Sequence, residues 1–234
     1  MSAGRRSCAC PGAAGYRRYR AGLILAQRAA FEGGNTVNHF FALQLPEEVQ
    51  QFIQSEVVAF WKPALQEQAV WQAPEDYHIT LKFLGDVAEE RQQDLVEAAK
   101  SVIEGVSAFA VTLAPPGSFP TQRPKRIFWM GVSKSKEITD LAGVLERVCS
   151  RLGVEREARA YTPHITVARY PRRRGSDTAE TAPPMTERSF PFWQAAQFVL
   201  MQTLPPGKRA NGTKARYNTV HTFPFRKKPI SDVS

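Results

Sequence analysis

The 234-residue chain is 43% hydrophobic and 10% aromatic, enough to bury a core in one domain or in two lobes that share an interior, so global disorder is excluded. Its formal charge of +9 favours a polyanionic partner such as RNA, although residues 1–36, with six Arg and one Glu, carry +5 of it. No apolar run is long enough to span a bilayer, and Cys8, Cys10 and Cys149 fit neither a disulfide framework nor a zinc pattern, which points to a reducing, cytoplasmic compartment without membrane attachment.

Residues 1–36, rich in Arg, Gly and Ala, read as a disordered basic extension with no site. Order is expected from Val37, in a single domain over 37–225 followed by a tail over 226–234. Residues 38–45 form a strand that Pro46 stops; Pro46-Glu47-Glu48 then opens a helix with Val49, Phe52, Ile53, Val57 and Phe60 facing inward. His39, at the start of that strand, reads as an exposed or satisfied strand residue. A second strand covers 77–84, Gly85-Asp86 turns the chain, and a helix over 88–104 buries Leu95, Val96, Ala99 and Ile103. A short strand at 109–113 leads into a Pro- and Gly-rich surface loop from Pro115 to Pro124. Another strand, 125–132, precedes an amphipathic helix over 136–152 that Gly153 ends and in which Cys149 is a buried thiol. A strand at 163–169 is followed by a mobile loop, 171–189, whose Arg172-Arg173-Arg174 run reads as solvated. Strands at 195–201 and 215–223 close the domain; His221 there has no Thr two places on.

Two of these strands carry the same four-residue pattern, His78-Ile79-Thr80-Leu81 and His164-Ile165-Thr166-Val167. With a period of two, His and Thr point to one face of a strand and the residues between them point to the other. Each copy thus presents an imidazole beside a hydroxyl, backed by packing. Two such strands brought together make a pocket suited to paired acid–base work on a phosphate, with His78, His164, Thr80 and Thr166 as catalytic candidates. Two imidazoles can serve as acid and base on opposite sides of phosphorus, and two hydroxyls can donate where charge grows. Neutral hydroxyls call for an added cation, and Arg169 is the candidate. It stands an odd number of residues after His164, so a bulge or strand end must re-aim it. Phe41, Tyr161 and Trp129 are candidate base-stacking residues, although strand aromatics are more often core. The histidines lack a neighbouring carboxylate set, so neither a metal nor another cofactor is expected.

The two motifs, together with the strand Phe40-Phe41-Ala42-Leu43-Gln44-Leu45-Pro46, Lys82-Phe83-Leu84-Gly85 and Arg126-Ile127-Phe128-Trp129-Met130-Gly131, resemble the 2H phosphoesterase superfamily, and within it the RNA 2',3'-cyclic phosphodiesterase (2'-5' RNA ligase) family. The resemblance spans residues 37–225. It implies, as do two motif-bearing strands in separate halves, an α+β fold of two pseudo-symmetric lobes, each an antiparallel-rich sheet with outer helices, with the active-site cleft between them. It also implies His78 as proton donor to the 3'-oxygen, His164 as the acceptor that activates water, Arg169 near the substrate, and a 2'-phosphate product. Arg126 completes the expected substrate-binding set. The expected partner is an RNA end bearing a 2',3'-cyclic phosphate, tRNA fragments included, with reverse 2'-5' ligation through the same site and a monomer that needs no protein partner. Two alternatives stay open: a non-catalytic module that holds RNA ends, and a phosphodiesterase of small cyclic nucleotides or ADP-ribose cyclic phosphate.

Overall fold

The computed structural model describes residues 37–65, 69–118, 125–171, 185, 189–205 and 215–226. The basic extension, the Arg172–Arg174 run and residues 227–234 of the tail lie outside them. In chain order the elements are β1 (Asn38–Gln44), α1 (Glu47–Phe52), a π-helical segment (Ile53–Val58), α2 (Ala59–Leu65), β2 (Val70–Trp71) and a 3-10 turn (Pro74–Asp76). They continue with β3 (His78–Asp86), α3 (Glu89–Ile103), β4 (Phe109–Ser118), β5 (Lys125–Val132), α4 (Lys136–Arg151), β6 (His164–Pro171), β7 (Phe192–Ala195), β8 (Gln197–Thr203) and β9 (Tyr217–Pro224).

The α+β expectation holds, with one difference in the sheet. The strands do not form a sheet for each lobe. They make one antiparallel sheet in the order β7-β4-β5-β6-β3-β1-β8-β9, with β2 added along β6. Its two halves meet where β3 pairs with β6, and the register there is the single pair Ile79 with Ile165. Around that seam β1 stands to β3 as β5 stands to β6: Leu43 faces Ile79 as Met130 faces Ile165. The repeated motif is therefore the local sign of a repeated strand pair.

Helices cover one face of this sheet and exchange halves. The helix that follows β1 packs on the half containing β5, where Trp61 meets Phe128 at 5.8 Å. The helix that follows β5, α4, lies over β3, where the Lys82 ammonium pairs with Glu146 at 2.8 Å. Ser135 caps α4 by accepting from the Ile138 amide at 3.3 Å, and Gly153, at φ +82°, turns the chain out of it. Cys149 is buried on its inner face, as expected, and burial pushes its thiol up to about 12.

Several details differ from the expectation. The inward face after β1 reads Val49, Ile53, Val57 and Trp61, a strict four-residue step, while Phe60 is 43% exposed. The π-helical segment explains this, since its wider turn keeps every fourth residue on one face instead of letting it drift. Val102 replaces Ile103 as the buried residue near the end of α3. The run Pro115-Pro116-Gly117 belongs to β4 and not to a loop; the register skips from Ala114 to Gly117 there, which is where a strand tolerates proline. The short strands β2 and β7 had no distinct sequence signal.

Candidate active site

The seam builds the site. With Ile79 opposite Ile165 in antiparallel register, His78 falls across from Thr166 and Thr80 across from His164, all on the face turned away from the helices. Ile79 and Ile165 are fully buried on the helix side, while the four motif side chains are half-buried. The alternation inferred from sequence thus places each imidazole beside its own hydroxyl and opposite the other one.

Both rings are held in the same way. The Nδ1 of His78 lies 2.7 Å from the Asp76 carbonyl, and the Nδ1 of His164 lies 2.9 Å from the Thr162 carbonyl. A carbonyl can only accept, so Nδ1 carries the hydrogen in each ring, and Nε2 is the nitrogen that can act as a base when bare and as an acid when protonated. Burial lowers the pKa of His78 to about 4, and the charge of Arg169 pushes the same way. His164 is also lowered, mainly by burial and then by Arg159 and Arg169. In the free protein both imidazoles therefore favour the neutral form at neutral pH.

Arg169 reaches this face through the bulge that its odd spacing required. Trp129 pairs with Thr166 but Phe128 pairs with Ala168, so Val167 is the extra residue. Val167 and Ala168 are both fully buried, and Arg169 returns to the cleft side, where its charge acts on both histidines. Its Nη1 is buried and has no hydrogen-bond partner among the described residues. β3 carries the matching bulge, since Ala42 pairs with Thr80 but Phe41 with Lys82. Phe83 accordingly occupies in that half the position Arg169 holds in the other. One side of the cleft is cationic and the other aromatic.

The aromatic side consists of residues that the sequence did not reveal. Phe40 stacks on the His78 ring at 4.8 Å, and Tyr217 meets both rings edge-on, at 5.1 Å from His78 and 5.2 Å from Phe40. With Ala42, Val199, Met201 and Phe83 they form a small apolar cluster separate from the main core. Phe41, expected to stack a base, is fully buried on the helix side against Phe198 and Phe223; one residue's difference along β1 puts it on the wrong face. Tyr161 is also reassigned. Its ring packs against the main core and its hydroxyl donates to the Thr80 carbonyl at 3.2 Å, bracing β3. Trp129 stands beside the site, edge-on to His164 at 6.5 Å, and lies over Gly117, where an added Cβ would be 2.6 Å from the indole. Arg126 lies in β5 opposite Tyr170, and its side chain is outside the described residues. His39 is buried at the far end of β1, and His221 contacts Phe223 on the helix side; neither joins the site. Among the described residues no group of three His, Cys, Asp or Glu side chains is placed to hold a metal, and no helix is long and apolar enough to cross a membrane.

The profile described as "2'-5' RNA ligase superfamily" matches residues 45–202. An RNA 2',3'-cyclic phosphodiesterase of Geobacillus stearothermophilus is 39% identical over 99 residues, which cover 42% of this chain and 32% of that protein. A protein of the same name from Methanothermobacter thermautotrophicus is 32% identical over 133 residues, 57% of this chain and 71% of the other. The crystal structure of E. coli LigT complexed with 3'-AMP superposes with a TM-score of 0.63 at 24% identity, over 80% of this chain and 97% of that one, a likeness of fold.

Proposed function

The chain belongs to the 2'-5' RNA ligase superfamily, and we propose that it hydrolyses RNA ends bearing a 2',3'-cyclic phosphate to 2'-phosphomonoesters. The observation that supports this reading is the Ile79–Ile165 pairing, which brings two His-x-Thr motifs onto adjacent strands with both imidazoles held through Nδ1. In this reaction His164 Nε2 takes a proton from water as its oxygen attacks phosphorus. The bond from phosphorus to the 3'-oxygen breaks, and His78 Nε2 gives its proton to that oxygen. The Thr80 and Thr166 hydroxyls donate to the non-bridging oxygens, and Arg169 offers these a charge-assisted partner. Each imidazole contributes roughly 10²–10⁴-fold. After one turnover the two protonation states are reversed, and exchange with solvent resets them. No metal takes part in this scheme. Reverse 2'-5' ligation uses the same groups in reverse order, and a cytoplasmic monomer acting on RNA fragments is the setting we propose.

The test is hydrolysis of an oligoribonucleotide with a 2',3'-cyclic phosphate end in EDTA, by the wild type and by His78→Ala and His164→Ala. The expected result is a 2'-phosphate product, with both variants folded and reduced at least about 10²-fold. A wild type that binds this RNA without turnover would leave the binding module in place of the enzyme. Turnover of mononucleoside cyclic phosphates alone would move the reading to small substrates.

A further inference from the structure

The two histidines are twins in sequence, but they are not held alike beyond the first hydrogen bond. His164 rests on the carbonyl of Thr162, an exposed residue in the loop ahead of β6. His78 rests on the carbonyl of Asp76, and Asp76 is 2% exposed. Its Oδ1 accepts the backbone amide of Arg216 at 2.7 Å, a residue 140 positions later and next to Tyr217, whose ring packs on His78. The same Arg216 gives its carbonyl to the Leu204 amide at 2.7 Å and its guanidinium to Gln72 at 3.3 Å. The backbone amide of Gln72 in turn donates to the Val167 carbonyl on β6 at 2.9 Å. A buried carboxylate ahead of β3 therefore fastens the carbonyl that sets the His78 tautomer to the start of β9. The same segment is anchored across the seam to β6.

We infer that Asp76 is a positioning residue for His78. Its carboxylate pins the Arg216 amide, and that pin fixes the carbonyl that keeps the imidazole hydrogen on Nδ1. The role comes from accepting a hydrogen bond, so the negative charge is dispensable. A buried carboxylate is costly to keep unless it is hydrogen-bonded, and the Arg216 amide supplies that bond. Outer partners that orient a metal-bound histidine are typically worth about 10–100-fold when removed, and the same scale is expected for a histidine oriented through a carbonyl. The inference rests on the proposed function for what His78 does, but not for how its ring is held.

The test therefore has a readout that needs no turnover. The ¹⁵N shifts of the His78 imidazole report its tautomer, and kcat and KM are measured in parallel on the cyclic-phosphate oligonucleotide. Asp76→Ala is expected to populate the Nε2–H tautomer and to lower kcat about 10–100-fold with KM little changed. Asp76→Asn keeps an acceptor oxygen of the same reach, and is expected to retain the Nδ1–H tautomer and a kcat within about threefold of wild type. Arg216→Pro deletes the Arg216 donor and leaves Asp76 and the Tyr217 amide beside it in place, so it is expected to populate the Nε2–H tautomer as Asp76→Ala does, even if that variant fails to fold. A wild-type tautomer in Arg216→Pro or in a folded Asp76→Ala would overturn the inference. So would an Asp76→Asn as impaired as a folded Asp76→Ala, because charge would then be what matters. An inactive wild type whose tautomer still responds to these variants would sink the proposed function and leave the positioning role standing.

Discussion

Lowering the pH should speed the capture of substrate by the free protein, and the structure sets the scale. Hydrolysis needs one imidazole charged and the other neutral, whereas burial and Arg169 hold both below the usual histidine value, His78 at about 4. At pH 7, three units above that, about one free molecule in a thousand carries a proton on His78. kcat/KM, which reports the free enzyme, should therefore follow a bell with its maximum between about pH 4 and 6.5 and fall about tenfold per unit on the alkaline side. Bound substrate brings a phosphate anion against both rings, which favours imidazolium, so the bell for kcat should lie at higher pH. Initial rates on the cyclic-phosphate oligonucleotide from about pH 4 to 9, at constant ionic strength because RNA binding is salt-dependent, give both curves. A kcat/KM that is flat across this range, or that peaks above pH 7, would refute the electrostatic picture of the site. The curve has the same shape whichever histidine is the acid, because only the sum of their protons enters.

The assignment of roles needs a different probe. With sulfur in place of the 3'-bridging oxygen the leaving group departs without a proton, so His78→Ala should recover to within about tenfold of wild type while His164→Ala stays reduced about 10²–10⁴-fold; rescue of His164→Ala instead would reverse the two roles. On the opposite face, Lys82 is 4% exposed at its side chain, pairs with Glu146 and also donates to the Glu155 carbonyl at 2.7 Å. Lys82→Ala should destabilise the fold by about 3 kcal/mol, the lower end for breaking a buried pair because Glu146 is 25% exposed. Urea unfolding measures this, and a loss below about 0.5 kcal/mol would show that the pair breaks even.

The sequence made the motif legible because a strand's period of two is local: His78 and Thr80 share a face wherever the strand goes. The demand that Arg169 be re-aimed was legible for the same reason, and the extra residue Val167 meets it. What parity cannot supply is which face of β1 looks into the cleft. Phe40 and Phe41 are adjacent and equally apolar, and only the pairing of Ala42 with Thr80 decides that Phe40 touches His78 while Phe41 is core. Tyr217 lies 139 residues from His78, and its place depends on two further strand pairings. A ring and a hydroxyl suit stacking and bracing equally, and only the contact with the Thr80 carbonyl shows that Tyr161 braces β3. The expectation of two separate sheets followed from the repeat; a repeat alone does not distinguish sheets side by side from a sheet continued through one pair at the seam.

The exchange of helices between the halves has a consequence for biosynthesis. The helix after β1 covers Phe128 of β5, and α4 covers Lys82 of β3, so neither half can close its own interior. β1 must also wait for β8, because Phe40 pairs with Met201, 161 residues later. At about 5–20 residues per second, ribosomes take roughly 8–30 s to make that stretch. For that interval the nascent chain holds an apolar strand with one edge unpaired, a state that invites association with other chains. Chaperone dependence during synthesis and slow refolding from denaturant are the expected marks of this topology. The ring that packs edge-on against His78 arrives later still, with β9, so the cleft is among the last parts of the molecule to form.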